Sequence, residues 1–194
     1  AARSGDWSTS FAANRTITVN TGGTLDTTTH ALGGLGGATR PDNIVLNEDA
    51  IWKLNNEQQL PNVAVTMTAG IINGPGDVRG GGLIATLAHA TKQSQVNCPV
   101  NTGNGPVTFT VADGAVVTDL AVTGNIGGGN VITKLGAGTM VLTGTNNTYT
   151  GGTVTGNGTG NTSATSTGTT GSAGFVIVGH NQAFGTGTIS ASGS

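Results

Sequence analysis

The chain has 194 residues and a formal net charge of −2, with 35 glycines and only 8% charged residues. Average proteins have ~25% charged residues and ~7% glycine. The few cations exclude the basic patch that nucleic-acid binding requires, and the lack of a three-residue glycine period excludes collagen. No apolar run approaches the ~20 residues of a membrane helix.

The first 106 residues alternate short aliphatic or β-branched runs with corners of Gly, Asn and Pro. Branched side chains favour extended backbone, while Gly and Asn tolerate the positive φ of tight corners, so the pattern predicts strands. All five prolines lie in this part, and we therefore expect its corners to be long and varied. Strands are predicted at 16–19, 43–46, 50–54, 63–67, 70–72 and 83–87.

One segment of this part is ambiguous. Leu83, Leu87 and Ala90 share one face of a possible short helix over 83–93. A triple glycine precedes the segment and no N-cap residue starts it, which favours extended backbone.

The second part of the chain is more regular and has almost no charge. Lys134 is the only Lys, Arg, Asp or Glu from Leu120 onward. The tract 156–172 has no aliphatic residue beyond Ala164, which predicts a projecting loop. Strands are predicted at 107–111, 115–118, 120–123, 131–134, 139–142, 148–150, 153–155, 175–178 and 186–189.

Most of these apolar runs have four or five residues, which is too short for a stable helix. The same corner sequence, Gly followed by Thr or an aliphatic residue, recurs along the whole chain. Such recurrence is typical of a solenoid, in which each coil completes the core of its neighbour. At roughly 20–25 residues per coil, we predict about seven to nine coils. The predicted fold is an all-β solenoid over 1–194, with irregular coils at 1–106 and regular coils at 107–194.

The segment 134–156 reads KLGAGTMVLTGTNNTYTGGTVTG. It resembles the passenger-associated transport repeat, or autotransporter-associated β-strand repeat, of secreted bacterial β-helix proteins. The resemblance is specific over roughly 107–194 and diffuse before that. It implies a right-handed parallel β-helix in a secreted or surface-displayed protein, with structural roles for the motif residues. The matching residues are Lys134, Gly136, Gly138, Thr139, Leu142, Gly144, Asn146, Thr148, Tyr149, Thr150, Gly151, Gly152 and Thr153.

Parallel β-helices also include carbohydrate-active enzymes, whose sites need clustered acids. Glu48 and Asp49 are consecutive, so in a strand they would point to opposite faces. Asp77 and Arg79 would share a face, which predicts a local ion pair. The histidines have no metal-ligand spacing. We therefore predict no catalytic residue, no cofactor and no metal.

A single cysteine, Cys98, excludes an intramolecular disulfide and leaves either a buried thiol or an intermolecular disulfide. The expected function is that of a non-enzymatic structural or adhesive protein, secreted or on the cell surface. The alternatives are an export-promoting spacer of a longer passenger and a carbohydrate-active enzyme. Expected partners are further copies of the chain, neighbouring coils of a longer chain, a surface glycan or a host receptor.

Overall fold

A computed structural model describes residues 2–3, 15–28, 43–56, 58–59, 63–156 and 174–191. Regular structure in these residues consists of strands and one 3-10 turn at Thr102–Asn104. None of them forms a helix with the length and apolarity needed to cross a membrane. The predicted loop at 156–172 lies, beyond Gly156, outside the described residues.

The strands form three parallel sheets. In spatial order, the first sheet contains β1 (Ala2–Arg3), β3 (Thr24–Thr27), β5 (Ile51–Leu54), β8 (Ile71–Asn73), β11 (Ser94–Val96), β14 (Leu120–Val122), β17 (Met140–Leu142) and β19 (Val176–Val178). The second contains β2 (Thr16–Val19), β4 (Asn43–Leu46), β7 (Ala64–Met67), β10 (Leu83–Thr86), β13 (Val107–Val111), β16 (Ile132–Leu135), β18 (Thr153–Thr155) and β20 (Ile189–Ala191). The third contains β15 (Ile126–Gly127), β12 (Val100–Asn101), β9 (Val78–Arg79) and β6 (Gln58–Gln59).

Along the described part of the chain, strands of the second and first sheets alternate, and in four of the described coils a strand of the third sheet follows that of the first. Every strand pair is parallel and in register; Leu83, for example, lies between Ala64 of the coil before and Thr108 of the coil after. The predicted fold class, an all-β parallel β-helix, is therefore confirmed. Each of the two long sheets has eight strands, which agrees with the prediction of about seven to nine coils.

Several strand predictions are confirmed and others are wrong. The ambiguous segment 83–93 begins with a strand, as preferred. The segment 115–118 forms bends, and 148–150 has no strand of its own. Turns occupy 181–186, so the last strand begins only at Ile189. The third sheet was missed because its strands are two residues long and depend on stacking rather than on a local pattern.

The core consists of columns of inward side chains that stack from coil to coil. In the second sheet, Ile44, Val65, Ile84 and Phe109 are register partners in successive strands, and none is more than 1% exposed. Full burial of such side chains contributes about 1.5–3 kcal/mol each. The next partner in this column is not apolar, and it belongs to the repeat motif.

Candidate functional site: the repeat corner

Lys134 is the inward register partner of Phe109 and is fully buried. Its Nζ donates a hydrogen bond to the carbonyl oxygen of Gly136 at the following corner. Desolvation lowers the pKa of Lys134 to about 8, and the nearby carboxylates of Asp119 and Asp113 act in the opposite direction. The motif lysine is therefore a core residue whose ammonium group reaches the polar corner.

The carboxylate of Asp119 links two successive corners. Its Oδ1 accepts from the backbone N–H of Gly114 at 2.7 Å, and its Oδ2 accepts from that of Thr139 at 2.8 Å. A Cβ on Gly138 would lie 2.8 Å from the same Oδ2 and against the carbonyl oxygen of Ala112. The motif glycine thus leaves room for the acid of the preceding coil, which no sequence pattern had indicated.

Tyr149 is fully buried, and its hydroxyl lies 2.5 Å from the Oγ1 of Thr153. Desolvation raises the pKa of this phenol. Gly152 has a φ of +82°, the left-handed conformation that brings the chain from Tyr149 back to β18. The predicted motif residues Tyr149, Gly152 and Thr153 therefore form one corner.

Asn147 is the residue that sequence reasoning missed. Its Oδ1 accepts from the backbone N–H of Ile126 at 2.7 Å, and its Nδ2 donates to the carbonyl oxygen of Ala183 at 2.8 Å. The residue is 4% exposed and bridges the coils before and after its own. The predicted Asn146 has an exposed side chain, and only its backbone N–H binds the neighbouring coil, at Asn125 Oδ1.

The remaining motif residues lie in the same coil as Tyr149. Leu142 is in the core, and Gly144 packs close to the backbone of Gly124. The backbone N–H of Thr148 donates to Ile126 at 2.8 Å, and a Cβ on Gly151 would overlap the backbone of Asn130. The structure therefore places the motif residues where three successive coils meet.

The acids predicted to be apart come together at another corner. Glu48 and Asp49 lie in a turn rather than a strand, so the expectation that they point to opposite faces is wrong. Glu48 Oε1 lies 2.8 Å and Asp49 Oδ2 lies 2.6 Å from the Nζ of Lys92. Their hydrogen bonds, that of Asp49 first, raise the pKa of Lys92. Glu48, Asp49 and Lys92 form an exposed charge cluster, and His89 Nε2 lies 3.8 Å from Glu48 Oε1.

The ion pair predicted between Asp77 and Arg79 is confirmed, with Nε 3.2 Å from Oδ2. Asn101 Nδ2 also donates to this oxygen, at 3.4 Å. Within the described residues, no group of three or more His, Cys, Asp or Glu side chains is arranged to hold a metal ion. Asp77 therefore belongs to a local network with a cation and an amide.

Cys98 is fully buried as a free thiol, in line with the first of its two expected states. Desolvation raises its pKa to about 12. An intermolecular disulfide would need the sulfur at the surface, so the second expectation does not fit this position.

No family model, curated protein or solved structure matches this chain. The resemblance of 134–156 to the passenger-associated transport repeat therefore stays a prediction from the sequence motif.

Proposed function

We propose that this chain is a non-enzymatic structural and adhesive protein, a stiff rod at a bacterial surface or in a secreted fibre. The observation that supports it best is the unbroken register of two eight-stranded parallel sheets along the stack. In a solenoid, stability is approximately a sum of intrinsic coil terms and nearest-neighbour interfaces. The rod resists bending because each interior strand hydrogen-bonds to the coils on both sides.

The polar links between coils support the same proposal. Asn147 joins three coils, and Asp119 joins two. Each of these buried groups is satisfied only when neighbouring coils are stacked, so bending the rod would leave polar groups without partners. The motif resemblance adds secretion and surface display to the proposal. Stacking of this kind would also suit an export-promoting spacer in a longer passenger.

Association end to end is part of the proposal. Val178 is the register partner of Leu142, yet it is 44% exposed whereas Leu142 is fully buried. Ile189 continues the column of Ile132 and Thr153 and is 53% exposed. A further coil stacked on β19 and β20, from another copy or from additional chain, would bury these side chains and pair the strand edges.

Size-exclusion chromatography and negative-stain microscopy over a range of concentrations test the proposal. We expect rods that lengthen as concentration rises and that resist protease. Ile189→Lys should abolish lengthening, whereas Leu87→Lys, at an equally exposed corner residue, should not. Monodisperse monomers at high concentration would sink end-to-end association, and cleavage of a polysaccharide by the chain would contradict a purely structural role.

A further inference from the structure

A polar groove lies at the corners that follow the first sheet. It has a volume of about 320 Å³ and crosses three successive coils, so it is roughly 10 Å long at ~4.8 Å per coil. Small-molecule sites usually occupy ~300–1,000 Å³, which puts this groove at the lower end of that range. Its lining residues are Asn55, Asn56, Pro75, Gly76, Asp77, Arg79 and Pro99.

At the corner that lines the groove, two successive coils are packed too closely for a side chain at Gly76. A Cβ on Gly76 would overlap the backbone of Asn56 in the coil before. Pro75 and Pro99 flank this corner with rings whose backbone φ is fixed. Gly76 therefore contributes only backbone to the lining, and the other lining residues carry amides, a charged pair and two apolar rings.

The polar groups of the lining are held by hydrogen bonds to one another and to neighbouring residues outside the groove. Arg79 Nε donates to both oxygens of Asp77, at 3.2 and 3.4 Å, and Asn101 Nδ2 donates to Oδ2 at 3.4 Å. Asp77 is 18% and Arg79 is 32% exposed, so both reach the groove surface while staying partly buried. Asn55 is fixed through Nδ2, which donates to Asp26 and to the carbonyl oxygen of Thr27. Pre-positioned donors and acceptors reduce the entropy that binding costs.

We propose that this groove binds a neutral oligosaccharide. The inference rests on the adhesive function proposed above and names the class of partner. Sugar hydroxyls both donate and accept, and the groove offers a guanidinium group as donor beside amide and carboxylate oxygens as acceptors. The charges of Asp77 and Arg79 cancel, which favours a neutral sugar over a uronate or a phosphate. The rings of Pro75 and Pro99 offer apolar surface to the C–H faces of a sugar.

The same groups favour binding over cleavage. Glycoside hydrolysis uses two carboxyl groups on either side of the scissile bond. Asp77 is the one carboxylate in the lining that the structure describes, and Arg79 holds it in an ion pair. The groove therefore recognises its ligand without a general acid and base.

The test is NMR titration of the ¹⁵N-labelled chain with neutral tetrasaccharides built from glucose, mannose, galactose or N-acetylglucosamine, with a galacturonate oligomer for comparison. At least one neutral sugar should shift the side-chain signals of Asn55, Asn56 and Arg79. Arg79→Gln and Asn55→Ala should each weaken binding about tenfold, the loss expected for one charge-assisted or amide hydrogen bond. The control Lys92→Gln removes the cation of the distant charge cluster and should leave affinity unchanged.

The proposal is overturned if no neutral sugar binds at millimolar concentration, if galacturonate binds more tightly, or if Lys92→Gln weakens binding as much as Arg79→Gln. Melting temperatures close to that of the parent chain confirm that both groove variants fold. Adhesion of protein-coated beads to bacterial or host cells separates the two proposals. If beads coated with Arg79→Gln adhere as well as beads coated with the parent chain, the result contradicts only the proposal for the groove. If the chain binds the sugar but the beads do not adhere, the result contradicts only the adhesive role.

Discussion

Two neighbouring parts of one column of inward side chains in the second sheet stabilise their coils in different ways. From β4 to β13 the inward position of the second sheet is apolar and fully buried, ending at Phe109. One strand later the same position holds Lys134, which is equally buried but bonded to a corner carbonyl. In this column the backbone register is therefore kept while the inward residue changes from an apolar side chain to one with a polar bond.

The third side of the coil changes at the same point. Up to β15, each described coil from β6 onward adds a strand to the third sheet. In the next coil the segment 143–152 occupies this side without forming a strand. The backbone N–H groups of Thr148 and Thr150 still donate to the carbonyl oxygens of Ile126 and Gly128. Asn147 supplies the remaining links. In this part of the stack, side-chain hydrogen bonds replace regular pairing.

The largest effect on stability is expected in the apolar part of the column. Phe109→Ala should lower the free energy of unfolding by about 3–5 kcal/mol, because it removes a large, fully buried ring and leaves a cavity. Urea denaturation measures the loss. Phe175→Ala is the matched control, since this ring is 72% exposed, and should change stability by less than about 0.5 kcal/mol. Equal effects would show that Phe109 is not packed as described.

In the polar part, Asn147→Ala should lower the free energy of unfolding by at least about 2 kcal/mol. The change leaves the buried N–H of Ile126 and the carbonyl oxygen of Ala183 without this partner, at about 1–3 kcal/mol each. The adjacent Asn146→Ala is the control and should cost little, because its side chain is exposed. If the two variants have the same denaturation midpoint, Asn147 does not bridge the coils.

A smaller effect is expected at the buried phenol. Tyr149→Phe should cost about 1 kcal/mol through the lost hydrogen bond to Thr153. In the double variant Tyr149→Phe/Thr153→Val both polar partners are gone, so part of the loss should be recovered. A double-mutant cycle by denaturation measures the coupling, and strictly additive losses would argue against the bond.

The smallest effect is a dependence on pH. Lys134 has a folded pKa of about 8 and an unfolded value of 10.5, so above pH 8 the unfolded chain holds the proton longer and stability rises with pH. The rise is at most about 1 kcal/mol per pH unit. Above pH 9.0 it levels off, because unfolded Cys98 loses its proton while the folded thiol keeps it until about pH 12.

Thermal denaturation between pH 7 and 10 measures this profile. Lys134→Met should remove the rise, and Cys98→Ala should extend it above pH 9. A profile for Lys134→Met that matches the parent chain would show that the lysine is not the titrating group.

The strand pattern was predictable because it is local. Branched residues at alternate positions favour extended backbone through their own side chains, as at Val107–Val111. The short strands of the third sheet carry no such pattern, and Val100–Asn101 is a strand only because Val78 and Ile126 lie beside it. The prediction for 115–118 failed for the opposite reason, since that run satisfies the pattern but lies in the corner held by Asp119.

The sequence by itself determined the fold class, the corner chemistry and the position of the motif, since all three depend on backbone preferences of nearby residues. Only the tertiary structure decided that Lys134 faces the lumen, that Asn147 rather than Asn146 joins the coils, and that Glu48 and Asp49 meet on Lys92. The contacts of Asn147 and Lys92 join different coils, and the inward position of Lys134 follows from its register with Phe109. Their partners are set by which coil stacks on which, and stacking is a property of the whole solenoid rather than of any segment.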